Sequence, residues 1–129
     1  MAKYKLVISE KQAKVIIQAL DLFSMVGTAQ FEELLNHPQW RKKVLTDPTD
    51  NNVCKTLLSE AKRVLTGFSQ NASYSVLDGK VSEENRIAYD ILQVVRYKLA
   101  WDKNPKGGMQ IDFDKPSPLS EEPLPEIEK

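Results

Sequence analysis

Apolar residues recur every three or four positions along four stretches of the chain, and polar residues fill the positions between them. This spacing is typical of amphipathic helices, in which 3.6 residues make one turn. It predicts helices over residues 10–26, 29–36, 52–66 and 83–103. Ser9 precedes the first of them and is followed by a glutamine three residues later, which predicts a capping box. The sequence therefore predicts a mainly helical protein.

The first predicted helix has an unusually wide apolar surface. One stripe is made of Ala13, Ile16, Ile17, Leu20 and Phe23. A second stripe is made of Val15, Ala19, Leu22 and Val26. A helix on the surface of a domain needs one apolar stripe, so a helix with two is either central in the fold or in contact with a second subunit. The sequence leaves both interpretations open.

Three shorter segments alternate apolar and polar residues, which is the pattern of a half-buried strand. They are residues 3–8, 74–77 and 109–114. The predicted fold class is therefore mainly α, a small α+β domain with a four-helix core and two or three short edge strands.

The composition changes after residue 114. Residues 115–129 hold four of the seven prolines and four glutamates. Proline removes backbone hydrogen-bond donors and the glutamates repel one another, so this segment is predicted to be a disordered, acidic, proline-rich tail. Residues 1–114 are predicted to form a single globular domain, because a chain of 129 residues leaves little room for two.

The charge balance and the rarity of cysteine and histidine narrow the function classes. The chain has 18 Lys and Arg against 18 Asp and Glu, and this neutral balance argues against a basic nucleic-acid-binding domain. One cysteine and one histidine provide neither a disulfide framework nor a cysteine- or histidine-based metal site, and no cofactor is predicted. No apolar run is long enough to span a bilayer and no signal peptide is evident, so the expected location is the cytoplasm.

Basic and aromatic side chains supply the candidate ligand-binding site. Its predicted members are Trp40, Arg41, Lys42, Tyr74, Arg96, Tyr97 and Trp101. Guanidinium groups bind phosphates through paired hydrogen bonds, and aromatic rings stack on bases. These side chains would hold a nucleotide if they met in one pocket. The alternative interpretation is that the aromatic rings close the rim of the core and the basic groups are solvated.

Candidates for catalysis or metal binding are weaker. His37 titrates near neutral pH, but no partner is evident in the sequence and a structural role is favoured. Cys54 is placed at the start of the third predicted helix, where burial as a small apolar residue is favoured. Asp112 and Asp114 share one face of a predicted strand, and two carboxylates alone make a weak cation site. The sequence therefore predicts a protein that is not an enzyme.

Three motifs resemble a family of small uncharacterised proteins of bacteriophages and prophage-bearing bacteria. They are Ala-Leu-Asp-Leu-Phe at residues 19–23, Gln-Phe-Glu-Glu at 30–33 and Arg-Ile-Ala-Tyr-Asp-Ile-Leu-Gln-Val at 86–94. The resemblance covers residues up to 103 and leaves out the tail. It implies expression in the cytoplasm of a bacterial host, and it assigns no functional residues.

Two functions from different classes are consistent with these features. The first is a non-enzymatic, phage-type interaction protein, a homo-oligomer that binds a host or phage protein partner; the double apolar stripe and the acidic tail favour it. The second is a small-ligand protein that sequesters a nucleotide second messenger and acts against host defence signalling; the basic and aromatic residues favour it. Neither function involves a membrane or a nucleic acid.

Overall fold

The computed structural model describes residues 2–37 and 47–128, and it confirms a mainly α fold. The described elements in chain order are α1 (Glu10–Gly27), a first 3-10 helix (Phe31–Asn36), α2 (Pro48–Thr66), α3 (Glu83–Lys103) and a second 3-10 helix (Ile111–Phe113). The predicted second helix is thus a 3-10 helix, and α2 begins four residues earlier than the apolar pattern indicates.

Side-chain caps fix where the α-helices begin. The Ser9 hydroxyl accepts a hydrogen bond from the Gln12 N–H at 3.1 Å, and the Gln12 amide oxygen accepts one from the Ser9 N–H at 2.8 Å. This confirms the predicted capping box of α1. The Asp47 carboxylate accepts a hydrogen bond from the Thr49 N–H at 2.9 Å. Asp47 and Pro48 therefore start α2 as an N-cap followed by a proline in the first turn.

The core lies where α1 packs along α3. The buried apolar residues of the described chain are Ala13, Ala29, Phe31, Leu35, Val81, Ala88, Leu92, Val94 and Val95. Five of the nine lie on α3 or directly before it, so α3 is the central helix of the fold. Among the described elements, α2 packs only against the first 3-10 helix and lies away from this core.

α1 lies close against α3 at its C-terminal end. A Cβ atom added to Gly27 would lie 1.9–2.1 Å from three side-chain atoms of Asn85, which is far closer than any real contact. Asn85 is buried in the first turn of α3. Glycine is therefore required at position 27 for the two helices to meet at this distance.

The predicted edge strands are wrong, because the described residues contain no strand. Residues 3–8 have no regular structure, and Tyr4, Leu6 and Val7 are exposed. Residues 74–77 lead into turns, and 109–114 contain the second 3-10 helix. An alternating segment becomes a strand only when a neighbouring strand supplies its backbone hydrogen bonds, and here none is placed beside these segments.

Residues 115–128 contain no helix or strand, and the chain bends at residues 120–122. Part of the segment is hydrogen-bonded to α3 near Asp90. The predicted disorder of this tail, and the single domain predicted for residues 1–114, stay predictions. The contacts with α3 are described below.

Candidate functional site

The seven predicted ligand-binding residues do not share one location. Trp40, Arg41 and Lys42 lie outside the described residues. The other four divide between the two ends of α3. Tyr74 lies in the loop before α3, where its backbone N–H donates to the Thr28 carbonyl at 2.9 Å, and Arg96, Tyr97 and Trp101 lie in the C-terminal half of α3.

Arg96 is engaged in an ion pair and lines a small cavity. Its Nε atom lies 3.0 Å from Asp112 Oδ1. The cavity has a volume of about 140 Å³, and it is lined by Tyr89, Gln93, Arg96, Ile111, Asp112 and Asp114. Pockets that bind small molecules usually enclose roughly 300 Å³ or more. The cavity is thus small for a nucleotide, and its two carboxylates would repel a phosphate.

Trp101 is packed between other rings and backbone. Its ring meets Tyr97 edge-to-face at 6.2 Å between centroids, and Phe113 edge-to-face at 5.4 Å. A Cβ on Gly107 would lie 2.8 Å from the Trp101 ring, so the backbone at Gly107 also lies directly against it. The buried indole Nε1 has no hydrogen-bond partner among the described residues. This arrangement favours the interpretation that the aromatic rings close the rim of the core.

Tyr74 belongs to a different part of the surface. Its ring meets Phe68 edge-to-face at 5.1 Å, and the Lys80 ammonium lies 5.0 Å from its centroid. The Arg86 guanidinium donates to the Asp78 carbonyl at 2.8 Å, which holds this loop at the start of α3. Arg96 lies ten residues further along the helix, about 15 Å away at 1.5 Å per residue. The structure therefore does not bring Tyr74 together with Arg96.

The other candidate residues lie in different elements of the fold. His37 is buried, and its backbone N–H donates to the Leu34 carbonyl at 3.2 Å. Cys54 is half-buried and lies in the second turn of α2, because α2 begins at Pro48. Asp112 and Asp114 flank Phe113 at the second 3-10 helix, so the expected strand face is wrong. No cluster of three or more potential metal ligands occurs in the described part of the chain. No helix within residues 2–37 and 47–128 is long and apolar enough to cross a membrane.

The sequence interpretation missed Lys62, which lies on the inward face of α2 with 1% of its side chain exposed. Its ammonium group donates to the Ala29 carbonyl at 2.9 Å and to the Ala72 carbonyl at 2.8 Å. It also lies 3.1 Å from Glu32 Oε1. Three acceptors satisfy its three protons, so Lys62 fastens α2 to the end of α1 and to the loop after α2. In the sequence, nothing distinguishes Lys62 from a solvated lysine.

Glu32 is the anionic partner in this cluster. Burial by itself would raise the pKa of its carboxyl. Hydrogen bonds from its own backbone N–H, from the Ser59 hydroxyl and from Lys62, together with the Lys62 charge, outweigh burial and hold the pKa below its ordinary value of 4.5. A cavity of about 320 Å³ opens beside the cluster, bordered by polar side chains that include Gln30, Gln70 and Asn71. The donors of Lys62 are already used, so this cavity offers a ligand no free cation there.

The most distinctive surfaces are two exposed apolar stripes. The α1 stripe is the second stripe of the sequence pattern, made of Val15, Ala19, Leu22 and Val26. Buried Ala13 marks the opposite side of α1, since Val15 is rotated from it by about 200° at 100° per residue. Val15 is 64% exposed. Val26 is 39% exposed and Leu22 is partly covered, so this side of α1 is largely open and α1 is not a central helix within the described residues.

The α2 stripe is made of Val53, Leu57 and Val64, which recur at helical spacing and lie opposite Lys62. These three side chains are 52%, 63% and 66% exposed. The helix is therefore inverted relative to an ordinary surface helix, with a lysine facing inward and its apolar stripe facing outward. Leu65 extends the exposed apolar surface beside the stripe.

Comparisons with protein families, with curated proteins and with solved structures find no match for this chain. The resemblance to small phage proteins therefore stays a prediction.

Proposed function

We propose that the protein is a non-enzymatic interaction protein that self-associates, with the α1 stripe of one copy packing against the α2 stripe of a second copy. The observation that carries the proposal is the outward orientation of the α2 stripe. An amphipathic helix gains stability by burying its apolar side, and in the single chain α2 leaves that side in water.

The hydrophobic driving force for such a contact is substantial. Completely burying one Val or Leu side chain contributes about 1.5–3 kcal/mol. Val15, Val53, Leu57 and Val64 are each more than half exposed, so much of that contribution is still available to an association step. Part of it offsets the lost freedom of two separate chains.

Charges at the edges of the two stripes are complementary. Lys11 lies one turn before Val15, at the edge of the α1 stripe. Lys14 lies further round the helix and is paired with Glu10 of the same helix at 3.2 Å. Asp50 and Glu60 lie on either side of the α2 stripe, and Glu60 is also paired with Arg63 of the same helix. Pairing α1 with α2 of another copy places Lys11 against the carboxylates that flank the α2 stripe, whereas pairing α1 with α1 places the Lys11 side chains together. The zero net charge of the chain adds no general repulsion between copies.

Self-association is the homo-oligomer of the interaction-protein hypothesis. The predicted phage family would place the assembly in a bacterial cytoplasm, where it would present a multivalent surface to a host or phage protein. No specific geometric observation favours the nucleotide-sequestering alternative, because the Arg96 cavity is small and acidic.

Light scattering coupled to gel filtration tests the proposal on the full chain. We expect wild type to elute as a dimer or larger assembly, and Val53→Glu to elute as a monomer. Asn52→Glu is the matched control, because it introduces a carboxylate at the adjacent exposed position, about 100° away from the stripe. A monomeric wild type at high micromolar concentration would overturn the proposal.

A charge exchange distinguishes α1–α2 pairing from other modes of self-association. Lys11→Glu and Glu60→Lys should each weaken the assembly, since each places like charges across the contact. Combining both in one chain restores opposite charges in exchanged positions and should recover assembly. If the double variant assembles even more weakly than either single variant, the α1–α2 pairing is contradicted, even where the wild type is a dimer.

A further inference from the structure

Asp90 is a buried carboxylate in the middle of α3. It is 2% exposed, although the buried residues Ala88 and Leu92, two positions before and after it, lie on the opposite side of the helix. A carboxylate in such a position needs hydrogen-bond donors or a cation, because burial without them costs several kcal/mol. Among the described residues, Asp90 makes no ion pair. Its partners come from the C-terminal segment.

Three donors from two consecutive residues satisfy Asp90. The Leu119 N–H donates to Oδ1 at 2.8 Å, and the Ser120 N–H donates to Oδ2 at 3.1 Å. The Ser120 hydroxyl donates to the same Oδ2 at 2.6 Å. Both carboxylate oxygens are therefore occupied by one short extended stretch, an arrangement that makes strong, charge-assisted hydrogen bonds.

Two further hydrogen bonds extend the contact along α3. The Gln93 side-chain amide donates to the Ser117 carbonyl at 3.2 Å, and the Glu121 N–H donates to Glu83 Oε1 at 2.7 Å. The segment therefore crosses Gln93, then Asp90, then Glu83, and runs antiparallel to α3. Positions 83 and 93 are about 15 Å apart on the helix, so five hydrogen bonds bind one continuous extended stretch.

The donors define what this face of α3 can recognise. Two successive backbone N–H groups are available in any extended peptide without proline at those positions, whereas the third donor requires a hydroxyl side chain. Four of the five hydrogen bonds use backbone groups of the segment, and one uses the Ser120 side chain. The face thus selects an extended segment with serine or threonine opposite Asp90.

We infer that the face of α3 centred on Asp90 is a binding surface for extended, hydroxyl-bearing peptides, and that residues 117–121 of the same chain occupy it as an exchangeable ligand. The segment has no secondary structure of its own to hold it in place. Its attachment therefore depends on these hydrogen bonds, and a competing peptide of the same chemistry replaces it. This inference does not rest on self-association through the α1 and α2 stripes.

Because residues 117–121 are covalently linked to their binding site, they compete strongly with any added peptide. A segment linked to its own binding site has an effective concentration of the order of millimolar, so the wild-type site is largely occupied in cis. Loss of the Ser120 hydroxyl lowers the affinity of the attached segment for the Asp90 site. A separate peptide that keeps this hydroxyl then binds the vacated site with unchanged affinity. The variant protein should then bind the added peptide better than wild type does.

The test is fluorescence anisotropy with a labelled synthetic peptide of residues 115–128, titrated with full-length proteins. We expect Ser120→Ala to bind the peptide about tenfold more tightly than wild type, which corresponds to one hydrogen bond. Ser117→Ala is the matched control, because it removes an exposed hydroxyl of the same segment but keeps the carbonyl that Gln93 contacts. It should bind the peptide as weakly as wild type.

Adding Asp90→Asn to Ser120→Ala removes the recognition group and should abolish the gain. Amide hydrogen exchange provides a second measurement that does not depend on the folding of the Asp90 variant. In wild type, the Leu119 and Ser120 amides should exchange more slowly than the Glu128 amide, and Ser120→Ala should accelerate them. Equal peptide affinity of wild type and Ser120→Ala, or unprotected amides at Leu119 and Ser120 in wild type, would overturn the inference.

Discussion

Lys62 and Glu32 form an ion pair at 3.1 Å in which the lysine is almost fully buried and the glutamate is 30% exposed. The two residues are 30 positions apart in sequence, and their ion pair connects α2 to the first 3-10 helix. The same ammonium group also binds the carbonyl of Ala29, whose backbone φ of 62° lies in the left-handed region and turns the chain out of α1. One side chain therefore joins the end of α1, the first 3-10 helix and α2.

Removal of the Lys62 ammonium should destabilise the protein. Lys62→Met keeps the aliphatic length but leaves the Ala29 and Ala72 carbonyls and the Glu32 carboxylate without their donor. We expect the free energy of unfolding to fall by about 3 kcal/mol, measured by urea denaturation. Lys55→Met, an exposed lysine on the same helix, should change it by less than about 0.5 kcal/mol. Equal effects of the two substitutions would contradict the role of Lys62.

The lowered pKa of Glu32 predicts a loss of stability in acid. The folded carboxyl has a pKa below the ordinary value of 4.5, so its contribution is fully present above that value. The contribution is lost as the pH falls below 4.5 and through the folded pKa. Glu32→Gln should therefore flatten the decline of thermal stability between about pH 5 and pH 3, measured by calorimetry. Glu33→Gln, a neighbouring substitution on an exposed carboxylate, should leave the decline in place.

The positions of α1 and α3 could be predicted from local chemistry. The Ser9–Gln12 capping box and the apolar spacing depend on neighbours within one or two turns, so the sequence contains them completely. The strands could not be predicted in the same way, since alternation at residues 3–8 or 109–114 is compatible with a strand but does not supply a pairing partner. The second 3-10 helix forms instead, where Phe113 packs on Trp101.

The candidate site was less predictable because it depends on contacts distant in sequence. Lys62 acquires its role from Ala29 and Ala72, and Asp90 from a segment about 30 residues later. A charged residue within an apolar stretch of α3, such as Asp90 between Ala88 and Leu92, was the one local signal available. The inverted α2 stripe was visible as a pattern, but the pattern alone does not state which side faces the core.

A leucine-to-alanine substitution should lower the free energy of unfolding much more in the core than in the α2 stripe. Leu92 is 1% exposed, so Leu92→Ala should lower the free energy of unfolding by about 3 kcal/mol. Leu57→Ala should cost less than about 0.5 kcal/mol at submicromolar concentration, where separate chains dominate. Urea denaturation at two protein concentrations provides the measurement, because the cost of Leu57→Ala should grow with concentration if the stripe is buried on association. A large, concentration-independent cost at Leu57 would show that the stripe is buried within one chain.

The contact between Gly27 and Asn85 yields a prediction in which helix propensity and packing have opposite signs. Alanine is favoured over glycine inside a helix by about 1 kcal/mol, so Gly27→Ala alone would stabilise α1 if there were space. The added methyl instead overlaps the buried Asn85 side chain, and overpacking of this kind typically costs about 1–3 kcal/mol. We expect a net loss in thermal denaturation of Gly27→Ala. The Asn85 Oδ1 atom is buried without a partner among the described residues, and its Nδ2 donates to the Ser82 hydroxyl at 2.8 Å. Asn85→Ala frees space and still leaves this hydroxyl an N–H donor, because the backbone N–H of residue 85 also bonds to it. The double variant should recover the stability lost in Gly27→Ala, with a coupling energy above about 0.5 kcal/mol in a double-mutant cycle. If the stability changes of the two single variants simply add, the end of α1 and the start of α3 lie further apart than this contact requires.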